Sequence, residues 1–369
     1  MPNLTIDNGA SNIKIGVTNS QVPSLTFQNK FIKMSLSNLF DSSVDYLYGD
    51  EADFLDGSYQ VRYPIENGKI KEWDPMLKIW SDIFARLAIS NVKDNYLEHS
   101  EQNLFFVTSP NYTMDCYKRI LDFVFGTYMV TKVGFGIDSI NALYSTGSTT
   151  GLVVDSGDST TRIMSVIEGH VDEKSIWQSN YAGRHLSRLI STNIYNNYNE
   201  PIVLQKVIDH IKGNHFYHQL SYDNPIGEEK VKVDLPDGSH VFLGSERTSF
   251  PDRFFDRHPS NSQKLTEEFF RSIAHFDRET QQLLLNNTFI TGGNTLMKNF
   301  DSKFLEECSK VHGKAKITLI ENPDKLNASF KGGSILFEQN AFDSQMISKE
   351  EYNEYGIEII RRKKLLLLC

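Results

Sequence analysis

The sequence predicts an α/β protein in which one plan is used twice, and three observations predict it. The first is a pair of segments with the same shape, Ile6-Asp7-Asn8-Gly9-Ala10-Ser11-Asn12-Ile13-Lys14-Ile15-Gly16 and Val154-Asp155-Ser156-Gly157-Asp158-Ser159-Thr160-Thr161-Arg162-Ile163. Each has an apolar strand, then Asp, a small polar residue and Gly, then small polar residues and a second strand, which reads as a β-hairpin with a tight turn. The second is the alternation of strands and amphipathic helices through the first half of the chain. The third is that the second hairpin follows directly on a helical stretch, so that a second lobe beginning near residue 139 repeats the opening of the first.

The elements follow in order. Residues 4–7 and 13–17 form the first hairpin. Asp74-Pro75 predicts a helix start, with Asp as N-cap and Pro at the first helical position. Behind it Leu77, Trp80, Phe84 and Leu87 recur at helical spacing and predict one buried face. Leu104–Thr108 is a buried strand stopped by Ser109-Pro110. Ile120, Leu121, Val124 and Phe125 mark a second helix, and Ile137–Tyr144, ending near Gly147, a third. After the second hairpin come helices near 183–191 and 201–211, a hairpin turn at Leu235-Pro236-Asp237-Gly238 and a helix over about 264–274. The strand Thr288–Thr291 then meets Gly292-Gly293, and a final helix starts near Lys331–Ser334.

Tight small-residue turns present backbone N–H groups that an anion can approach closely. Two such turns facing each other across a cleft can hold the phosphates of a nucleotide, and an Asp at each strand end can hold magnesium through water. Taken singly, Asp-Asn-Gly and Asp-Ser-Gly are also ordinary hairpin turns; the recurrence carries the signal.

Composition narrows the rest. The 369 residues suffice for two domains. A net charge of −9 without a basic stripe argues against sequence-specific nucleic-acid binding and leaves protein partners open. Three cysteines, none in a CxxC pair, argue against a disulfide framework or a zinc site. No secretory signal is visible, and the longest pure aliphatic run, Leu365–Leu368, is too short to span a bilayer. A cytoplasmic or nuclear location is expected.

Further blocks carry a resemblance. Tyr48-Gly49-Asp50-Glu51-Ala52, Tyr63-Pro64-Ile65-Glu66-Asn67-Gly68 with Trp73-Asp74, Ala182-Gly183-Arg184, Leu235-Pro236-Asp237-Gly238, Phe330–Leu336 and Ile347–Tyr352 stand in order along the chain. With the two hairpins and Gly292-Gly293, the sequence resembles actin and the actin-related proteins over essentially its whole length, as a divergent member. The resemblance implies the two-lobed actin-like ATPase fold, two duplicated ribonuclease H-like α/β domains, each a five-stranded sheet with helices, around a central nucleotide cleft. It divides the chain into a first lobe of residues 1–138 and 330–369, with 33–66 as its outer subdomain, and a second lobe of 139–329, with 179–264 as its outer subdomain.

The resemblance also implies ATP or ADP with magnesium (or calcium). Gly9, Ala10, Ser11, Asn12 and Lys14 would meet the phosphates from one side, and Gly157, Asp158, Ser159 and Thr160 from the other. Asp7 and Asp155 would shape the metal's water shell. Gly292 and Gly293, with Leu296 and Met297, would lie beside the base, and Lys212 near it. The chain departs from the family at Ala10, usually Ser; at Ser11, usually Gly; and at Gly213, usually the Glu that holds the ribose. It departs again at Asp138 and Arg162, where actin has the Gln and His that organise the attacking water. Asp138 and Asp155 remain the candidates for positioning water, and slow hydrolysis is expected.

Three functions compete. The chain reads first as an actin-related, ATP-holding structural subunit of a protein complex. The alternative is a divergent cytoskeletal actin that polymerises and hydrolyses ATP. A sugar kinase or chaperone-type ATPase shares the core, but the blocks outside the nucleotide site favour the first two. Ordinary actin filaments are not expected, because the stretch matching the family's apolar plug, Phe254–Lys264, is polar beyond its two phenylalanines, and the loop within Lys33–Val44 is short and carries Asp41. The tail Arg361–Lys364 before Leu365–Leu368 is expected to fray, dock a partner or pack at the base of the first lobe.

Overall fold

In the computed structural model, residues 3–18, 20–35, 44–54, 59–87, 89, 102–198, 205–221, 230–236, 238–256 and 264–365 are described. The chain divides into two compact units, one of Met1–Ala52, Val61–Thr149 and Asn327–Cys369, the other of Asp53–Gln60 and Thr150–Leu326.

The first unit is organised on a six-stranded mixed sheet in the order Ile347–Ser348, Val130–Ile137, Gln102–Thr108, Leu4–Asn8, Asn12–Val17, Leu25–Gln28. Leu4–Asn8 pairs antiparallel with Asn12–Val17 and parallel with Gln102–Thr108, so it lies inside the sheet and all five of its residues are buried. Successive side chains alternate faces. Leu104 and Phe106 join the core built with Trp73–Arg86 and Met114–Thr127, while Phe105 and Val107 pack against Phe337, Phe342 and Met346. The sheet has one strand more than expected, because the two-residue segment Ile347–Ser348 adds to the edge of Val130–Ile137.

The first helix differs from its sequence reading. It runs Trp73–Arg86 with Glu72 at the N-cap, so Asp74 lies within its first turn and favours the helix through the N-terminal dipole rather than as a cap. The buried face is Met76, Ile79, Trp80, Ile83 and Phe84, rotated from the predicted stripe; Leu77 and Leu87 sit at its margin. The helix at Ala328–Glu338 starts earlier than predicted and is not the last: Lys349–Tyr355 and Glu358–Arg362 follow. Asp138–Tyr144, across which the expected lobe boundary at 138/139 falls, packs within the first unit on Ala328–Glu338. The packing is so close that a Cβ on Gly332 would sit 1.5 Å from the Asn141 carbonyl oxygen.

The second unit repeats the hairpin plan. Gly151–Ser156 pairs antiparallel with Thr161–Ile167 and parallel with Thr288–Thr291. His170–Val171 and Trp177–Ser179 both add to Thr161–Ile167, completing a five-stranded sheet. Gly183–Tyr198, Gln205–His215 and Leu265–Ile273 supply apolar faces to its core. The strands flanking Leu235–Gly238 form as expected, Val231–Asp234 against His240–Leu243; Asp237 lies outside the described residues.

Phe254 and Phe255 are 5% and 1% exposed, held in the second core beside His218 and Phe300. They are core side chains of this unit. Residues 257–263 of the plug-like stretch, and 36–43 of the short loop, lie outside the described residues. In the tail, Arg362 stacks over Tyr355 at 3.9 Å, Lys363 pairs with Glu351 at 2.8 Å and Leu365 packs on the first core, so the basic run is docked on its own unit. Residues 366–369 lie outside the described residues.

His218 is fully buried among these rings, with Nδ1 3.0 Å from Asp252 Oδ1 and no partner for Nε2 among the described residues. An ionised carboxylate only accepts, so Nδ1 donates and Nε2 is the bare nitrogen. Burial lowers the His218 pKa and outweighs the opposing pull of Asp252, with Lys303 adding to the lowering. The folded state thus resists a proton that the unfolded chain takes up at about pH 6.5, and this group costs stability as pH falls below that value. Thermal melts between about pH 7.5 and 5.5 are expected to fall less steeply in His218→Gln than in the wild type. Equal slopes would remove His218 from the acid response.

Candidate functional site

Both hairpins place an acid across from a base. In the first, Asp7 is the register partner of Lys14; in the second, Asp155 is the register partner of Arg162. Cross-strand partners point to the same face of a sheet. Lys14 Nζ lies 3.5 Å from Asp7 Oδ2, each side chain 11% exposed. Burial raises the Asp7 pKa, Lys14 opposes that rise and Asp138 adds to it. Arg162 Nη1 lies 3.9 Å from Asp155 Oδ2, and its Nε and Nη2 both donate to Thr160 Oγ1, at 3.1 and 2.8 Å.

Residues distant in sequence hold the first turn. The Asn29 side chain donates to the Gly9 carbonyl at 2.8 Å, and its amide to the Ser11 carbonyl at 2.8 Å. Asn8 accepts from Trp80 Nε1 at 3.1 Å and donates to the Tyr112 hydroxyl at 3.0 Å, which fixes the strand end behind Gly9. The second turn is closed by the Gly157 amide on the Thr160 carbonyl at 3.0 Å. Asn294 donates to the Gly157 carbonyl and Ser156 Oγ, and Ser156 Oγ contacts Thr161 Oγ1 at 2.9 Å. Asp158 is engaged by Arg184, through an ion pair of 2.5 Å and the Arg184 amide on its carbonyl. The amides of Ser11, Asp158 and Ser159 donate to no protein acceptor among the described residues, which suits them to an anion.

The glycine pair stands beside the second turn. Gly292 has φ +98°, and a Cβ there would meet the Ser156 carbonyl oxygen at 2.3 Å and Asp155 Oδ1 at 2.8 Å, so only glycine brings Thr288–Thr291 this close. Gly293–Leu296 is a short 3-10 turn; Leu296 is 53% exposed and Met297 packs on the second core. Lys212 donates to Ser187 Oγ at 2.9 Å and pairs with Asp209 at 3.2 Å, so its ammonium is held by its own helix and by Gly183–Tyr198. Asp138 opens its helix with Oδ1 accepting from its neighbour Ser139, 2.7 Å from the amide and 3.2 Å from the hydroxyl, while Ser329 donates to its carbonyl at 3.0 Å.

Within the first unit the structure thus brings together Asp7, Gly9, Ala10, Ser11, Asn12 and Lys14. Within the second it brings together Asp155, Gly157, Asp158, Ser159, Thr160, Gly292 and Gly293. Asn29, Asn8, Trp80, Asn294 and Arg184 are not among the site residues expected from the sequence. The signal for Arg184 was its small-residue block and for Asn294 its place after two glycines; Asn29 has none. Among the described residues no group of three or more His, Cys, Asp or Glu side chains is placed to hold a metal ion, and no helix is long and apolar enough to cross a membrane.

The family model described as Actin matches residues 1–365. The chain is 26% identical over 373 residues to centractin of Schizosaccharomyces pombe, an alignment covering 98% of this chain and 97% of that protein.

Proposed function

The chain belongs to the actin family, and from that premise we propose that it is an actin-related ATP-binding protein that serves as a structural subunit of a protein assembly in the cytoplasm or nucleus. Bound ATP or ADP, with magnesium or calcium held through water by Asp7 and Asp155, stabilises the fold, and hydrolysis is slow or absent. The likeness to centractin supports an actin-related role over a kinase or chaperone one. The turn amides of Ser11, Asp158 and Ser159 support phosphate binding, and Lys14 and Arg162 supply positive charge beside the two acids. When bound, the metal would shield the phosphate charge.

The observation that carries the reading on hydrolysis is the engagement of both departing side chains. Asp138 Oδ1 is taken up by the neighbouring Ser139 in the first turn of its helix, and Arg162 is held by Thr160 and Asp155. Neither retains the neutral, water-orienting chemistry of the Gln and His that the family places there.

Two experiments test the proposal. Magnesium-ATP at about 100 times its Kd is expected to stabilise the protein by about 2.7 kcal/mol, read as a rise of several degrees in Tm. No rise would remove the nucleotide. Sedimentation and negative-stain microscopy at high concentration, with magnesium-ATP and salt, are expected to show no long two-stranded filaments, because Phe254 and Phe255 belong to the core. Such filaments would move the reading to a divergent polymerising actin.

A further inference from the structure

The helix Asp138–Tyr144 is weakly anchored. Its buried side chains are Ser139, Asn141, Ala142 and Leu143, so one large apolar side chain holds a helix of seven residues. The helix it crosses, Ala328–Glu338, carries Gly332 and Gly333 in its interior, where glycine is unfavourable, and is itself pinned by the buried Phe330 and Phe337. Between the two lies Asn141, fully buried, with neither Oδ1 nor Nδ2 hydrogen-bonded among the described residues. Its amide is pressed on glycine backbone. A Cβ on Gly136 would stand 2.7 Å from Nδ2 and 2.9 Å from Oδ1, and one on Gly333 would stand 3.2 Å from Nδ2. Both backbones are engaged elsewhere: Gly136 lies in a paired strand and its carbonyl accepts from the Thr108 hydroxyl, while Gly333 lies inside its helix. Phe105 and Val107 border the same space with hydrocarbon.

We propose that Asn141 makes this crossing a local opening device, in which Asp138–Tyr144 lifts from Ala328–Glu338 and recloses while the sheet and the other helices of the first unit stay folded. A buried amide without a partner raises the free energy of the closed form, and opening returns that amide to water. The side chain therefore favours opening, relative to a hydrocarbon of its own shape. The scarcity of buried apolar contacts on Asp138–Tyr144 acts in the same direction, since segments of that kind open below the global unfolding free energy. The device lies wholly within the first unit and is independent of the nucleotide reading.

The test follows amide hydrogen exchange in the full chain. The amides of residues 142–145 are expected to exchange about 100-fold faster than those of residues 120–124, inside Met114–Thr127 of the same unit. They should also keep their rate in about 1 M urea, while the reference amides accelerate. Equal rates, or an equal response to urea, would overturn the proposal. Asn141→Leu keeps the branching and removes both polar atoms, and is expected to slow exchange at 142–145 by about tenfold. If Leu does not give a folded protein, the unbranched Asn141→Met repeats the comparison. Exchange that is unchanged or faster in the folded variant would show that the amide does not drive opening, and would overturn the proposal as well.

Discussion

Gly332→Ala is expected to cost more than about 4 kcal/mol, enough to leave little folded protein at ordinary temperature. The added methyl would lie 1.5 Å from the carbonyl oxygen of Asn141 and 2.4 Å from its carbon. Those are backbone atoms of the facing helix, so no rotamer change relieves the overlap; Asp138–Tyr144 and Ala328–Glu338 must separate. Separation would loosen Asn141, which is fully buried among Phe105, Val107 and the glycines at 136, 332 and 333. Overpacking usually costs about 1–3 kcal/mol because side chains yield, and here they cannot. Gly213→Ala is the control. It lies in Gln205–His215, is exposed and has nothing within 4 Å of its new methyl. It should stabilise by about 0.4–1 kcal/mol through the unfolded chain. Urea denaturation of both variants and soluble yield measure this; a loss below about 1 kcal/mol at Gly332 would mean that the crossing is slack.

Asp138→Gln combined with Arg162→His is expected to raise single-turnover phosphate release by about 100-fold, the low end of what positioned proton-transfer groups contribute. Asp138 is an anion whose Oδ1 is taken up by Ser139, and it raises the pKa of Asp7 in the same unit. A charged acceptor so engaged is a poor guide for water that must approach a polyphosphate. Arg162 is fixed on Thr160 and Asp155. Neutral Gln and His at these positions restore acceptors and donors without net charge. The assay uses saturating magnesium-ATP, where loss of affinity at Arg162 does not limit the rate. An actin-like burst in the wild type, or no gain in the double variant, would show that these side chains do not set the rate.

Both hairpins were legible because their signal is local: a strand, an acid, a small-residue turn and a strand, with the basic residue placed by spacing alone. The order of blocks along the chain carried the family. What was not legible depends on contacts between distant segments. The buried stripe of Trp73–Arg86 turned with the side chains it meets, so Met76 and Ile83 are core while Leu77 is marginal. Asn29 secures the first turn by hydrogen bonds to Gly9 and Ser11, which no pattern around residue 29 announces. Gly332 reads only as part of a block at the start of a helix, yet it marks a close helix crossing. The phenylalanines of Phe254–Phe255 read as a possible surface contact and became core, because an aromatic cage around His218 was waiting for them.

The first unit draws on segments on both sides of the second, and this has a consequence for biosynthesis. Its central strand, Leu4–Asn8, leaves the ribosome more than 300 residues before Ala328–Glu338 and the edge strand Ile347–Ser348. One face of that sheet, through Phe105 and Val107, is covered by Phe337, Phe342 and Met346. Until those arrive the nascent polypeptide displays unpaired apolar surface, the condition under which large proteins aggregate. The second unit is drawn almost wholly from the continuous stretch Thr150–Leu326, and its sheet is complete once Thr288–Thr291 has emerged. Synthesis therefore imposes an order, the inserted unit maturing first and its host closing only after Ala328–Ser348 has emerged.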